Sequence, residues 1–273
     1  MMRDTAAAVT LGAVICRRLF GNPVMAVLTA DHFISPVRRF QQVMESAAGC
    51  AKRTGALYTI GITTGRAATG YGYLETGKRL EPDGDVQHFQ LVRFKEKPEP
   101  TTAEQYHADE RFYWNSGMFV WTVDSILSEV QAHLPIHSER LFPLGRKFGT
   151  SEWTEALQEA FSALPRISID FGVMEKTKNI RMVKGDFDWD DVGSWSALDR
   201  FLAPDSHGNR ARGVLHASAS ENTLVFCEDP SETVAVLGVR DLVVVRSGKR
   251  TLVMNRSQAE ALKQLVTRML DPT

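Results

Sequence analysis

Residues 24–32 read Val-Met-Ala-Val-Leu-Thr-Ala-Asp-His. Five apolar residues run unbroken into Thr29, Ala30 and Asp31, the pattern of a strand covered on both faces, as in a parallel sheet. Such a strand places Asp31 at its carboxyl end, where ligands bind in open α/β sheets. Upstream, residues 5–20 put Ala8, Leu11, Ile15 and Leu19 on one helical face behind an Asp4 or Thr5 cap. Downstream, Ser35-Pro36 opens a helix, Ser35 as cap and Pro36 at the first position, with Val37, Phe40, Met44 and Ala47 as inner stripe. An apolar run at 57–62 then completes strand, helix, strand, a βαβ unit expected to cross over right-handed. The fold class is therefore α/β.

The totals agree with a soluble globular protein. A chain of 273 residues, 43% hydrophobic and 24% charged, has room for a large core and a second small domain. Lys+Arg 32 against Asp+Glu 33 gives a net charge of -1, so no basic field argues for nucleic acid. No run approaches the roughly 18 apolar residues of a membrane span. Arg3 and the apolar stretch 6–15 imitate a secretory signal, but Asp4 spoils the basic head and Arg17-Arg18 stands at the cleavage position. Cys16, Cys50 and Cys227, odd in number and far apart, read as reduced thiols of a cytoplasmic protein. His133 and His137, with Pro135 between them, read as a surface pair.

Further along, 69–73 is too rich in glycine for a regular strand, and 81–85 reads as a hairpin tip. Strands are expected at 89–94, 113–121, 167–170 and 181–183. Helices are expected from Asp124 or Ser125, over 150–164 and from Phe171. Beyond Pro204 short β runs follow quickly, at 223–227, 233–239, 242–245 and 251–254. The chain closes in a helix with a Ser257/Glu260 capping box and a stripe of Leu262, Leu265, Val266 and Met269. Two domains are expected, 1–204 and a small β-rich 205–273.

Residues 185–195, GDFDWDDVGSW, set Asp186, Asp188, Asp190 and Asp191 among large aromatics, which calls for a cation. A calcium loop is excluded, because its sixth position is Asp191 instead of Gly and its twelfth is Ala197 instead of Glu. A magnesium-type site remains, one or two carboxylates sharing the ion with a substrate phosphate. Four other features stand at sheet ends. Glu96-Lys97-Pro98 is a ligand group or a strand end blunted by proline. Asn115-Ser116-Gly117 weakens an aromatic strand where a ligand could approach closely. Gly70-Tyr71-Gly72 is a close-approach loop or a β-bulge, and Asp31 a ligand or a helix cap.

Together these stretches resemble a known family. Thr29-Ala30-Asp31-His32, Thr69-Gly70-Tyr71-Gly72-Tyr73, Phe94-Lys95-Glu96-Lys97-Pro98, Trp114-Asn115-Ser116-Gly117-Met118-Phe119, Ser168-Ile169-Asp170 with Met174-Glu175-Lys176, and residues 189–195 occur in the order found in mannose-1-phosphate guanylyltransferases. Gly208-Asn209 and residues 237–242 are similar to that family's small β-rich C-terminal region. The resemblance implies a Rossmann-like mixed-sheet nucleotidyltransferase domain followed by a β-rich domain. It implies an enzyme that forms GDP-mannose and pyrophosphate from GTP and mannose 1-phosphate. By the same resemblance Asp31 and Asp191 hold Mg²⁺ and Lys97 binds the sugar phosphate. Glu96 and Asn115 take sugar hydroxyls, the backbone at Gly70, Tyr71, Gly72 and Gly117 lets the sugar lie close, and Asp170 supports them.

The chain also departs from the family. Its members begin with a strand and a glycine-rich loop around the GTP phosphates, whereas Arg3-Asp4-Thr5-Ala6-Ala7-Ala8-Val9 resembles a motif normally well inside the domain. The expectation is thus an amino-terminally incomplete domain. Asp4 stands where the family has an amide, and Thr29 where it has proline. The alternative is a non-catalytic or regulatory sugar-phosphate-binding subunit that lost the GTP loop. Either reading leaves room for a homo-oligomer or for a complementing partner that brings the amino-terminal part.

Overall fold

A computed structural model describes residues 2–80, 84–193, 195–262, 265, 266 and 269. The chain divides into two compact units, Met1–Ala30 with Ile34–Trp189, and Asp31–Phe33 with Asp190–Thr273. Its first eight strands are β1 (Val24–Val27), β2 (Phe33–Ser35), β3 (Leu57–Thr63), β4 (Gly72–Leu80), β5 (His88–Lys95), β6 (Phe112–Thr122), β7 (Ile180–Gly185) and β8 (Asp188–Asp190). Six form a mixed sheet in the order β1-β6-β3-β7-β5-β4, in which β3 and β7 are parallel and β6 runs against β1, β3 and β4. β2 pairs with β8. The helices are α1 (Thr5–Phe20), α2 (Val37–Thr54), α3 (Pro100–His107), α4 (Val123–His133), α5 (Pro135–Leu141), α6 (Leu144–Lys147) and α7 (Trp153–Ala163).

Alternation along the sheet gives it two apolar faces. Leu57, Phe119 and Trp121 pack with α1 and α4, while Tyr58, Met118 and Val120 pack with α2. Trp121, Tyr58 and Phe119 are among the largest fully buried side chains, each contributing roughly 1.5–3 kcal/mol by leaving water.

Several expectations fail for local physical reasons. β1 is an edge strand paired antiparallel with β6 and only half-buried, because one side of its ladder has no partner strand among the described residues. Asp4 does cap α1, accepting from Thr5 N at 2.7 Å, but Ala8 and Leu19 are exposed. α1 buries Ala6, Val9, Ala13 and Val14 instead, small residues that let it lie close to the sheet. α2 begins one residue late, with Pro36 as cap and Ser35 in β2; it buries Val43, Ala47, Cys50 and Ala51 and exposes Val37. α4 starts at Val123, ahead of the expected Asp124 or Ser125, with Thr122 as its cap, accepting from Ser125 N. Residues 167–170 are not a strand. They bond to the start of α1, Ile167 O accepting from Ala6 N and Ile169 N donating to Thr5 Oγ1, and then turn into a π-helical segment, Asp170–Met174. His137 is buried, so it is no surface residue, and His133 pairs with Glu129 at 3.2 Å. Residues 81–83 of the expected hairpin tip lie outside the described residues.

The second unit carries β9 (Arg210–Arg212), β10 (Val214–Ser218), β11 (Leu224–Cys227), β12 (Thr233–Leu237), β13 (Leu242–Ser247) and β14 (Arg250–Asn255). β9, β11 and β13 stack in parallel, β10 and β12 do likewise, and β14 returns antiparallel to β13. Leu224, Val243 and Val245 form its core with Trp195, Leu198 and Leu202. Asn209, nearly fully buried, ties the coil together. Its amide donates to Asp205 and the Ser220 carbonyl, and its oxygen accepts from Thr223 N. At the start of the last helical segment the Ser257 hydroxyl donates to Asn255 Oδ1. The Glu260 side chain lies outside the described residues.

Candidate functional site

In the first unit the site grows from a break in β6. Thr59 faces Phe119 and Gly61 faces Asn115, so residues 116–118 of β6 stand against Ile60 alone. The bulge needs Gly117, whose φ of 70° is left-handed. It turns the Asn115 amide into a fixed bridge: Oδ1 accepts from Thr59 Oγ1 at 2.9 Å and from Gly117 N at 3.3 Å, and Nδ2 donates to Asp170 Oδ1 at 3.2 Å. Asp170 opens the π-helical turn. Its carboxyl is pushed up to about 6, first by burial and then by the charge of Glu96, against the opposing Asn115 bond and the charge of Lys97.

Glu96 and Lys97 follow the end of β5. Glu96 Oε1 lies 3.1 Å from Lys97 Nζ, with the Glu96 side chain 12% exposed and that of Lys97 62%. Glu96 N donates to Glu175 Oε1 at 3.0 Å. Lys97 holds φ at 43°, a left-handed conformation uncommon outside glycine. Gly72 lies close beneath these side chains, since a β-carbon on it would sit 2.5 Å from Glu96 Oε2 and 3.3 Å from Asn115 Cβ, so that an added methyl group would displace the Glu96 carboxylate. Gly72, Glu96, Lys97, Asn115 and Asp170 are thus brought together, with Gly117 shaping the bulge beneath. Tyr71 instead packs into the α2-side core, edge-on to Trp114 at 5.0 Å and Trp189 at 5.4 Å. A β-carbon on Gly70 would meet nothing within 4 Å among the described residues.

In the second unit Asp31, Asp190 and Asp191 surround His32. Burial lowers the His32 pKa, and the three carboxylates, Asp31 foremost, oppose that shift. Asp190 Oδ1 accepts from Val192 N at 2.8 Å and Asp191 Oδ1 from Gly193 N at 3.1 Å, two side-chain-to-backbone turns in succession. Between them Val192 sits at a φ of 47°, where a β-branched side chain is strained. Asp190 also lies 3.6 Å from Arg200 Nε. Among the described residues no group of three or more His, Cys, Asp or Glu could hold a metal. Two hard carboxylates in one loop cluster fit an ion whose remaining ligands are substrate phosphate and water. Asp186, in the first unit, belongs elsewhere: Arg39 grips it at 2.7 and 2.8 Å and holds its carboxyl below the usual range.

Sequence reasoning missed three supports. Thr59 is fully buried and orients Asn115, and a hydroxyl within the apolar 57–62 run was its only signal. Glu175, quoted only as part of a motif, binds the backbone of Glu96. His32 stood beside Asp31 without a role.

A mixed α/β sheet followed by a β-rich region is the architecture that the resemblance to a nucleotidyltransferase implies. Residues 1–205 match the Nucleotidyl transferase family, and the chain belongs to it. Members of that family generally use a divalent metal ion. Residues 219–269 match the MannoseP isomerase/GMP-like beta-helix domain. The chain is 34% identical over 267 residues to the mannose-1-phosphate guanylyltransferase of Escherichia coli (strain K12), covering 97% of this chain and 55% of that one. It is 36% identical over 265 residues to the mannose-1-phosphate guanylyltransferase of Klebsiella pneumoniae, with the same 97% and 55% coverage. A crystal structure described as a mannose-1-phosphate geranyltransferase from Thermus thermophilus superposes with a TM-score of 0.85 at 33% identity, covering 99% of this chain and 76% of that one. The chain spans about half the length of the curated relatives it matches, 55% in both cases. The family read from the six motifs is the one to which these relatives belong. No helix among the described residues is long and apolar enough to cross a membrane.

Proposed function

We propose that the chain transfers a guanylyl group from GTP to mannose 1-phosphate, giving GDP-mannose and pyrophosphate. An oxygen of the sugar phosphate attacks the α-phosphorus of GTP, and the bond from that phosphorus to the pyrophosphate oxygen breaks. Both reactants are anions, so the protein's work is positioning and charge neutralisation, and no protein nucleophile is needed. Lys97 binds the sugar phosphate. Glu96 and Asn115 take sugar hydroxyls, and the bare backbone of Gly72 lets the ring lie close. Gly70, Tyr71 and Gly117 shape the approach, and Asp170 holds Asn115 in register. Asp31 and Asp191 would hold Mg²⁺, which would supply neutralisation of phosphate charge. The catalytic domain is 1–204 and the β-rich domain 205–273, in a cytoplasmic protein whose three cysteines are free thiols.

The observation that carries this reading is the Gly72, Glu96, Lys97, Asn115 cluster, in a chain whose relatives over 97% of its length are mannose-1-phosphate guanylyltransferases. The test is to incubate the purified protein with GTP, mannose 1-phosphate and Mg²⁺ and to separate the products by anion-exchange chromatography. GDP-mannose and pyrophosphate should appear in equal amounts. Their absence under conditions where the protein is folded overturns the proposal.

A further inference from the structure

A cavity of about 240 Å³ lies in the first unit between α1, α4 and the α5–α6 corner, and it shares no residue with the candidate site. Its wall is apolar, made by Val14 of α1, Leu127 of α4 and Phe142. Gly145 closes one side, and a β-carbon there would come within 3.1 Å of Val14 Cγ1. Three arginines, Arg17, Arg18 and Arg146, stand around that wall, and no carboxylate joins them in the lining. Arg17 lies 3.6 Å from Asp124, with both side chains at least half exposed, a pair that screening makes weak. Among the described residues no carboxylate pairs with Arg18 or Arg146.

Helix ends account for part of this pattern. Arg17 and Arg18 fall in the last turn of α1 and Arg146 in that of α6, where cations complement exposed carbonyls. That effect does not require three guanidinium groups from two helices to converge on one concave apolar wall. All three guanidinium groups are exposed, so their mutual repulsion is screened, and what they offer the cavity rim is a set of donors suited to an anion. Guanidinium forks match phosphate oxygens, and the Val14, Leu127 and Phe142 wall accepts a flat apolar body.

We propose that this cavity is a second ligand site, distinct from the catalytic one, for an organic monophosphate with an aromatic body. The probe is 1-naphthyl phosphate, titrated calorimetrically into the full chain, with inorganic phosphate and 1-naphthol as its two halves. Saturable binding of the probe is expected, at least tenfold tighter than either half, and undisturbed by saturating mannose 1-phosphate. The Arg18→Ala/Arg146→Ala double variant, at two cavity-rim arginines without carboxylate partners, should bind the probe at least tenfold more weakly with an unchanged melting temperature. Should that variant lose its fold, Arg18→Lys/Arg146→Lys, which keeps the charge but not the fork, is expected to give the same loss. The proposal is overturned by any of three results: no saturable binding, binding retained in a folded variant, or displacement by mannose 1-phosphate.

Discussion

The Glu96–Asn115–Asp170 cluster and the Asp31–Asp191 cluster are both acidic, yet they handle charge in opposite ways. In the first, the side chains bond to one another: Glu96 meets Lys97, Asn115 bridges Thr59 and Asp170, and burial raises the Asp170 carboxyl to about 6. Such a site is shaped before any substrate arrives. In the second, carboxylates converge on a half-buried histidine and bond to the backbone of their own loop, with no third metal-ligating group completing a cage among the described residues. Under the proposed function such a cluster would be completed from outside, by an ion and substrate phosphate. The lesson is that a preorganised polar pocket and a charge-hungry loop leave different marks even before a ligand is bound. One shows a bridged amide above a closely packed glycine, the other a concentration of negative charge.

The largest effect that could break this contrast belongs to the loop. Asp191→Asn removes one of its negative charges while keeping an oxygen for Gly193 N. Turnover dependent on divalent metal should fall at least ~100-fold, about 2.7 kcal/mol of transition-state stabilisation, with melting temperature unchanged. Steady-state pyrophosphate release with a thermal melt reads both quantities, and unchanged turnover removes Asp191 from the metal. Next in size, Gly72→Ala pushes a methyl group against the Glu96 carboxylate, 2.5 Å away in the present geometry. Denaturant unfolding should show a loss of about 1–3 kcal/mol, and KM for mannose 1-phosphate should rise more than kcat falls.

Asp170→Asn sharpens the comparison through pH. The folded pKa of about 6 lies above the ordinary value of 3.8, so the native state holds its proton more tightly than the unfolded chain. Stability contributed by that proton is complete below pH 3.8 and is lost as pH rises through 6. The Asn variant lacks this loss, and it should gain on the parent by up to about 3 kcal/mol between pH 4 and pH 7. A flat difference across that range contradicts the burial argument. The smallest effect is expected at Lys97→Gly, which relieves the left-handed backbone at φ 43° and offsets it against a more flexible unfolded chain. Stability should move by no more than about 1 kcal/mol, while affinity for mannose 1-phosphate drops.

Much of both regions was legible in the sequence, for reasons that differ by element. Asn115 and Gly117 within an aromatic strand stand out as strand-weakening residues and suggest a ligand approach; what the structure shows there is a bulge, since such residues suit a place where the ladder is broken. The runs at 57–62 and 223–227 were recognisable as strands because their β-branched and aromatic residues fit a pleated, buried surface. What stayed hidden depends on tertiary partners. The apolar run at 24–27 is an edge strand, since apolar composition reports burial of side chains and not how many ladders the backbone joins. The buried face of α1 escaped because alanine gives almost no amphipathic contrast, so Leu11, Ile15 and Leu19 drew the stripe to the wrong side. Residues 167–170 alternate like a strand but bond to the first turn of α1, a pairing more than 150 residues away that no local pattern encodes. Among the site residues, Gly72 and Gly117 stand out in the sequence only as places of close approach; the contact of Gly72 with Glu96 and the left-handed turn at Gly117, like the orienting role of Thr59, required the fold.

A sugar-phosphate pocket built before the metal arrives is the central claim. Titrating mannose 1-phosphate into the protein by calorimetry, with EDTA present to remove divalent ions, tests it directly. Saturable binding should persist, weaken at least ~10-fold in Lys97→Ala, about 1.4 kcal/mol, and be unaltered in Asp191→Asn. Binding that requires Mg²⁺, or that ignores Lys97 and follows Asp191, would contradict the division of labour between the two clusters.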